Sequence, residues 1–386
     1  MKNRKKIRYI FTYILLLLII TGIGGSYIYI NIPLRTAIFR SLIKGNWYLT
    51  SEKDTLYSFG YYGVKKWLVQ KNNNLKKLAQ NDSFCHNTYI GYLIGRSGAI
   101  HDQYLYVTSR SYLGGNDTIN NKNYINGKLL VLRKNDLKII KTYKSDIKLI
   151  EAKICNNLLV VSGLKGFDIY DISIAQSPQI MYKYRQNNYT EFQGFTFIQK
   201  DSCLYIAFTK FGEGLSLWKI TQTNKIFHLA DVAIQDTLID GSILPKGLQC
   251  FNIISNYPFL YSTIAPSSNI FNTKNDKRGI MVYDISDINH IKQSAIFIPR
   301  KDWYKKKTGD PEPSYIDIYK NKLYTNFGEK GIAIFDISNP SKPRYEGIID
   351  ITNNNNLIQP IHINHRGILF AGDYYWPNIY SKQLND

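Results

Sequence analysis

The stretch Gly331-Ile332-Ala333-Ile334-Phe335-Asp336-Ile337-Ser338-Asn339-Pro340-Ser341-Lys342-Pro343 decides how the rest of the chain reads. A glycine opens it, β-favouring apolar residues fill a strand-length run, and Asp, Ser, Asn and Pro then impose a turn. Nothing in it has the 3.6-residue apolar period of a helix. The same wording returns upstream as Gly166-Phe167-Asp168-Ile169-Tyr170-Asp171-Ile172-Ser173 and Gly279-Ile280-Met281-Val282-Tyr283-Asp284-Ile285-Ser286. Gly214-Leu215-Ser216-Leu217-Trp218-Lys219-Ile220-Thr221 is a degenerate copy. Weaker ones open at Gly63 and Gly127, and Gly367-Ile368-Leu369-Phe370-Ala371-Gly372-Asp373 reads as the first half of one more.

The opening glycines stand at 63, 127, 166, 214, 279 and 331, giving steps of 64, 39, 48, 65 and 52 residues. Four strands of five or six residues with their turns need roughly 40–50 residues, so each step is one four-stranded unit. The longer steps carry loop insertions. Such a unit cannot bury both of its faces alone and must stack on neighbours around an axis. The fold expected is all-β, a β-propeller of four-stranded blades over 46–386, with seven blades from the seven units and six as the alternative. The last unit is short of an outer strand, which residues 46–50 are expected to supply, closing the ring and removing exposed edges.

These copies resemble the LVIVD repeat, whose consensus runs Gly-Leu-x-Val-Val-Asp-Val-Ser-Asp-Pro with a second proline beyond it. Asp336-Ile337-Ser338-Asn339-Pro340-Ser341-Lys342-Pro343 matches nearly throughout, and Asp171 with Pro178 keeps the spacing of the second proline. The resemblance spans most of 50–380, close in three units and loose in the others. It implies a propeller of the kind found on bacterial surfaces or in the periplasm, and it brings no catalytic residue. The repeated Asp is expected to form turns rather than an acid array. At a strand end its side chain accepts a bond from the N–H two residues on.

The N-terminus carries a separate signal. Lys2, Arg4, Lys5, Lys6 and Arg8 precede 26 uncharged residues, 9–34, centred on Ile14-Leu15-Leu16-Leu17-Leu18-Ile19-Ile20. About 20 apolar residues cross a bilayer as a helix, and a basic flank stays on the cytoplasmic side. The order expected is a basic cytoplasmic tail at 1–8, a single-pass transmembrane signal anchor at 9–34, a juxtamembrane linker at 35–45 and the propeller in the periplasm or outside the cell. A cleaved signal peptide with Gly24-Gly25-Ser26 as its cleavage region is the alternative, but apolar residues continue through Tyr27, Ile28, Tyr29, Ile30 and Ile32. With the body outside the cytoplasm, the net charge of +20 describes a solvated, Lys-rich surface and no nucleic-acid partner. Cys85, Cys155, Cys203 and Cys250 stand singly with no CxxC pair, which argues against a zinc ribbon and for free thiols.

Function collects on loops. In a four-stranded blade the second-to-third-strand loops and the links between blades open on one face. The longest insertions, 111–126, 233–246, 264–278 and 300–312, all belong to that face. Tyr61, Tyr62, Tyr112, Trp303, Tyr304, Tyr374, Tyr375 and Trp376 fall on it and form the candidate binding surface, since aromatic rings suit sugars and protein hot spots. Their competing role is to pack loops against the rim. Glu213, Glu329 and Asp373 near the same turns raise the alternative of a polysaccharide hydrolase or lyase, although each also serves as a turn residue. His362 and His365 point to opposite sides of an extended chain, so no metal is expected. No phosphate loop, G-x-S-x-G elbow or H-E-x-x-H occurs, and no cofactor is expected. The sequence therefore reads as a membrane-anchored binding or scaffolding propeller that recruits a protein or glycan through its loop face.

Overall fold

The β-rich runs pair in chain order into seven antiparallel sheets in the computed structural model. It describes residues 45–85, 87–88, 91–112, 127–188, 190–235, 238, 247–266, 277–299, 302, 313–328, 331–352, 357–374 and 376–384. Blade 1 comprises β1 (Asn46–Glu52), β2 (Thr55–Gly60), β3 (Gly63–Val69) and β4 (Leu75–Asn81). Blade 2 adds a short leading strand, β5 (Asn87–Thr88), to β6 (Gly91–His101), β7 (Tyr104–Tyr112), β8 (Gly127–Arg133) and β9 (Ile139–Ser145). Blade 3 holds β10 (Leu149–Cys155), β11 (Leu158–Gly163), β12 (Gly166–Asp171) and β13 (Gln179–Arg185). Blade 4 holds β14 (Phe192–Lys200), β15 (Cys203–Lys210), β16 (Gly214–Ile220) and β17 (Ile226–Val232). Blade 5 holds β18 (Leu248–Asn256), β19 (Phe259–Pro266), β20 (Gly279–Asp284) and β21 (Lys292–Phe297). Blade 6 holds β22 (Ile316–Tyr319), β23 (Lys322–Asn326), β24 (Ile332–Asp336) and β25 (Arg344–Ile349). Blade 7 has three strands, β26 (Ile358–Ile363), β27 (Ile368–Asp373) and β28 (Ile379–Gln383).

The first strands of the blades, with β6 in that place in blade 2, form an inner ring. Each lies against the next, and β26 meets β1 to close the circle. The seven-bladed propeller expected from the repeats is what forms. The tail at 1–8, the anchor at 9–34 and all of the linker but Gly45 lie outside the described residues, as do Trp303, Tyr304 and Tyr375. No helix long and apolar enough to cross a membrane occurs among the described residues.

Closure departs from expectation. Residues 46–50 belong to β1, the innermost strand of blade 1, and do not complete blade 7. Gly367 precedes the second strand of its blade, whereas the other opening glycines begin or immediately precede third strands. The reason is visible in one recurring backbone bond. In blades 1, 3, 5 and 6 the N–H at or just past the end of the third strand reaches the turn between strands one and two: Val69 to Asp54 O (2.8 Å), Ile172 to Asn157 O (2.8 Å), Ile285 to Pro258 O (2.9 Å) and Ile337 to Asn321 O (2.8 Å). In blade 7 that bond runs from Leu384 to Gly367 O (2.9 Å), so β28 is the third strand and Gly367 sits in the first turn.

Successive side chains on a strand point to opposite faces, and here both faces are covered by neighbouring blades. Leu159 and Val161 of β11 pack toward blade 2, while Val160 between them packs toward blade 4. Each seam therefore owns an apolar core. The seam between blades 7 and 1, with Leu49, Leu56, Val69, Ile368 and Phe370, is the thinnest among the described residues.

The repeat's punctuation has local causes. Asp171, Asp284 and Asp336 each accept the N–H two residues on, from Ser173 (2.8 Å), Ser286 (3.0 Å) and Ser338 (2.9 Å). The intervening Ile172, Ile285 and Ile337 turn back into the core. A methyl group at Gly63, Gly166, Gly214, Gly279 or Gly331 would overlap a carbonyl oxygen of the fourth strand or its edge, from Asn81, Tyr184, Val232, Ile296 and Ile349 respectively. Only glycine lets the outer strand come that close.

Candidate functional site

The inner strands are not regular. In blades 1, 2, 3, 4, 5 and 7 the pairing of first with second strand skips residues, between Asn46 and Tyr48, Gly95 and Ser97, Leu149 and Ala152, Phe192 and Phe195, Cys250 and Ile253, and Ile358 and Ile361. A bulge of this kind re-aims a side chain off the sheet. Here the skipped residues include Trp47, Arg96, Glu151, Gln193, Asn252 and Gln359, and all six line one axial cavity of ≈ 310 Å³. Blade 6 contributes Ser314 and Tyr315, whose N–H groups both bond the Asn326 carboxamide (2.9 and 2.7 Å) where the ladder has not yet begun.

Buried second-strand threonines stabilise these departures by bonding the backbone that the ladder leaves out. Thr209 Oγ1 accepts Gly194 N–H (2.9 Å) and donates its one proton to Phe251 O (2.9 Å), Thr263 Oγ1 accepts Asn252 N–H (3.1 Å), and Thr325 donates to Tyr315 O (2.7 Å). Thr108 donates to Ser97 O (3.3 Å). Buried N–H and C=O groups require such partners.

Arg110 and Glu191, at the loop-face ends of their strands, lie within 3.6 Å of each other and place this cavity at that end of the axis. A second cavity of ≈ 490 Å³ continues toward the opposite face, past Ile100, Ile154, Ile254 and Asp317. Tyr48, Glu151, Asn252 and Tyr315 line both and form the waist of the channel. Burial pushes the Tyr48 phenol well above its ordinary value, with the Glu151 carboxylate adding to the shift. The Tyr315 phenol is also raised by burial, while the Arg96 guanidinium beside it pulls the other way. Tyr315 donates to Trp47 O, which ties blade 6 to blade 1 across the axis.

The sequence-selected aromatics divide around this mouth. Tyr61 and Tyr374 flank Trp47, with ring centroids at 6.0 and 5.2 Å, and the Arg96 guanidinium stacks over the Trp47 ring at 4.4 Å. Trp376 stands outward, 52% exposed, in the β27–β28 loop. Tyr62 is turned into the blade, where its hydroxyl bonds Asn46 and Ser58 and the Lys65 ammonium lies 3.7 Å from its ring. Tyr112 ends β7 at the same end of the axis. Trp303, Tyr304 and Tyr375 fall outside the described residues.

The acids near the loops are engaged. Glu213 pairs with Lys210 (2.7 Å) and accepts Thr190 Oγ1 (2.5 Å), and buried Asp373 accepts the Trp376 N–H (3.1 Å) as a turn residue. Glu329 lies outside the described residues. His362 faces the channel and bonds Ser51 Oγ (2.7 Å), whereas His365 is exposed in the next turn, so the two do not converge. All four cysteines are free thiols. Sequence reasoning missed Trp47, Arg96, Gln193 and Gln359. The available signal was a set of threonines, Thr108, Thr209, Thr263 and Thr325, within otherwise apolar second strands.

No protein-family model matches the chain, and no curated protein matches it. Similar solved structures are found at low identity. The WD40 domain of Neurospora crassa Pan2 is 11% identical, with a TM-score of 0.55 over 89% of this chain and 90% of that one. A protein from Lactobacillus plantarum is 10% identical, with a TM-score of 0.53 over 88% and 98%. The computationally designed protein Ika8 is 8% identical, with a TM-score of 0.50 over 88% and 96%. At such identities the likeness is one of fold.

Proposed function

We propose that the chain is a binding propeller of the LVIVD type, held at a membrane by residues 9–34, which recruits an extracytoplasmic protein or glycan through its loop face. The observation that carries this reading is the presentation of Trp376. Its ring is exposed on a loop that is fixed at both ends, because the buried Asn46 carboxamide donates to Asn378 O (2.8 Å) and Asp373 accepts the Trp376 N–H. An aromatic ring held on a rigid support loses little entropy when a partner covers it. The adjoining Tyr61, Tyr374 and Trp47 extend the same surface inward to the axis.

Membrane retention and partner capture test separate parts of the proposal. Full-length protein should fractionate with membranes and a chain lacking 1–34 should not. Crosslinking in intact cells should trap a partner with the wild type, and Trp376→Ala should reduce that yield at least tenfold while the melting temperature stays within about 2 °C. Equal trapping by the variant, or a large loss of melting temperature, would assign Trp376 to packing and end the loop-face reading.

A further inference from the structure

Ser51, His362 and Asp317 come together on the wall of the larger cavity, toward the face opposite the loop face. They belong to β1, β26 and β22, three inner strands that are neighbours in the ring, with β26 in the middle. His362 Nε2 lies 2.7 Å from Ser51 Oγ on one side, and its Nδ1 lies 3.4 Å from Asp317 Oδ2 on the other. Asp317 is fixed by two backbone donors, the N–H groups of Ile318 (2.8 Å) and Ile363 (2.8 Å). A carboxylate beside Nδ1 keeps the ring proton there and leaves Nε2 to accept the Ser51 hydroxyl proton. His101, His228 and His290 also meet aspartates, but those partners lie within three residues in sequence. The His362 and Asp317 side chains are 22% and 21% exposed, and with Ser51 they line a space of ≈ 490 Å³. The three are therefore within reach of a small molecule.

We infer that Ser51 is the nucleophile and His362 the general base of an esterase site, and that its substrate is a carboxylic ester with a small apolar acyl group. Asp317 is the positioning residue that orients the imidazole. A hydroxyl within hydrogen-bond reach of a base, itself oriented by a third group, is the arrangement that activates a nucleophile. The longer Nδ1 contact is of the kind such sites hold before substrate binds. Ser51 Oγ attacks the ester carbonyl carbon while His362 Nε2 takes its proton. The imidazolium gives that proton to the departing alkoxide, which leaves as the alcohol, and Ser51 is left acylated. Water, deprotonated by His362, then releases the acid and restores the serine. Ile100, Ile154, Phe197, Ile254 and Ile316 line the same cavity and offer the acyl group an apolar wall. Lys153, paired with Glu151 (3.1 Å), is the only Lys or Arg among the described residues that line it. Its ammonium is the available partner for the charge that develops on the carbonyl oxygen. The inference goes beyond the loop-face reading and does not depend on it.

The test uses the full-length chain, purified in detergent. An alkyl fluorophosphonate should label it, and peptide mass spectrometry should place the adduct on Ser51. p-Nitrophenyl butyrate should be hydrolysed with a kcat/KM several-fold above that of p-nitrophenyl acetate. Ser51→Ala should abolish both the adduct and the hydrolysis. His362→Gln, which can still bond the serine but is no base, should lower both by roughly a hundredfold. His365→Ala, in the exposed turn beyond the cavity, should behave as the wild type. Asp317→Asn should slow labelling about tenfold, and Asp317→Glu, which restores the carboxylate, should recover part of the rate, as a loss of packing alone would not. An unlabelled Ser51 at millimolar probe, or labelling undiminished in His362→Gln, would overturn the inference and leave the three residues as fasteners between adjoining blades. Labelling without ester hydrolysis would overturn the esterase assignment, and equal rates on the two esters would overturn the apolar acyl preference.

Discussion

The Asp of Asp-Ile-Ser is a turn residue because its carboxylate reaches an N–H only two residues away, and this made it legible in sequence. Asp168, in the same repeat, is the opposite case. It is buried within β12 and held by Arg185 from β13 (2.6 Å), which also grips Asp146 (2.7 Å) from the loop after β9. No local pattern announces that triad, since its members come from two blades. Arg185→Met should strand Asp168 without a counter-ion and cost about 3 kcal/mol at neutral pH, measured by denaturant unfolding. Burial outweighs Arg185 and raises the Asp168 carboxyl. Its favourable contribution is therefore complete at low pH and lost as pH rises through the raised value, so the Arg185→Met penalty should shrink in acid. Asp146 has the reverse sign. Arg185 holds its carboxyl below the ordinary aspartate value, so its stabilisation is present above about pH 4 and is lost as pH falls through the lowered one. Being largely exposed, it contributes under about 1 kcal/mol. The melting-temperature gap between Asp146→Asn and wild type should close near pH 3.

Strand existence and order were readable because the glycine-to-turn wording repeats, and the overlaps at the opening glycines give that wording its cause. Gly331 combines such an overlap with φ of +108°, so Gly331→Ala should cost about 3 kcal/mol. The inner-strand bulges were not readable. Which residue a ladder skips depends on the partner strand, and one skipped position decides whether Trp47 or its neighbour faces the axis. The second-strand threonines are the covalent trace of that choice. Thr209→Val keeps the volume and removes the hydroxyl that serves Gly194 and Phe251 O (2.9 Å), so it should destabilise by about 1–3 kcal/mol. Faster hydrogen exchange confined to β14 and β15 would locate the effect, and exchange unchanged there would argue against the hydroxyl's role.

Seven blades could be counted from the repeats, but the manner of closure could not, because it depends on contacts between residues more than 290 positions apart. The thin apolar core between blades 7 and 1 is supplemented by polar clamps: Asn46 on Asn378 O (2.8 Å), Arg366 on Asp54 (2.9 Å) and Asn73 (3.1 Å), and His362 on Ser51 (2.7 Å). Asn46→Ala should therefore open the ring at this seam first, with a loss of about 2–3 kcal/mol and exchange rising in β1 and β27 before other blades. Equal exposure of all seams would mean that closure is not the weak point. The bulges carry a consequence for divergence. Trp47, Arg96, Glu151, Gln193, Asn252 and Gln359, each from a different blade, stand outside the strand pairing that builds the ring. Their identities can be rewritten one blade at a time while the architecture persists, so a single scaffold can acquire a new chemical preference along its axis through point changes alone.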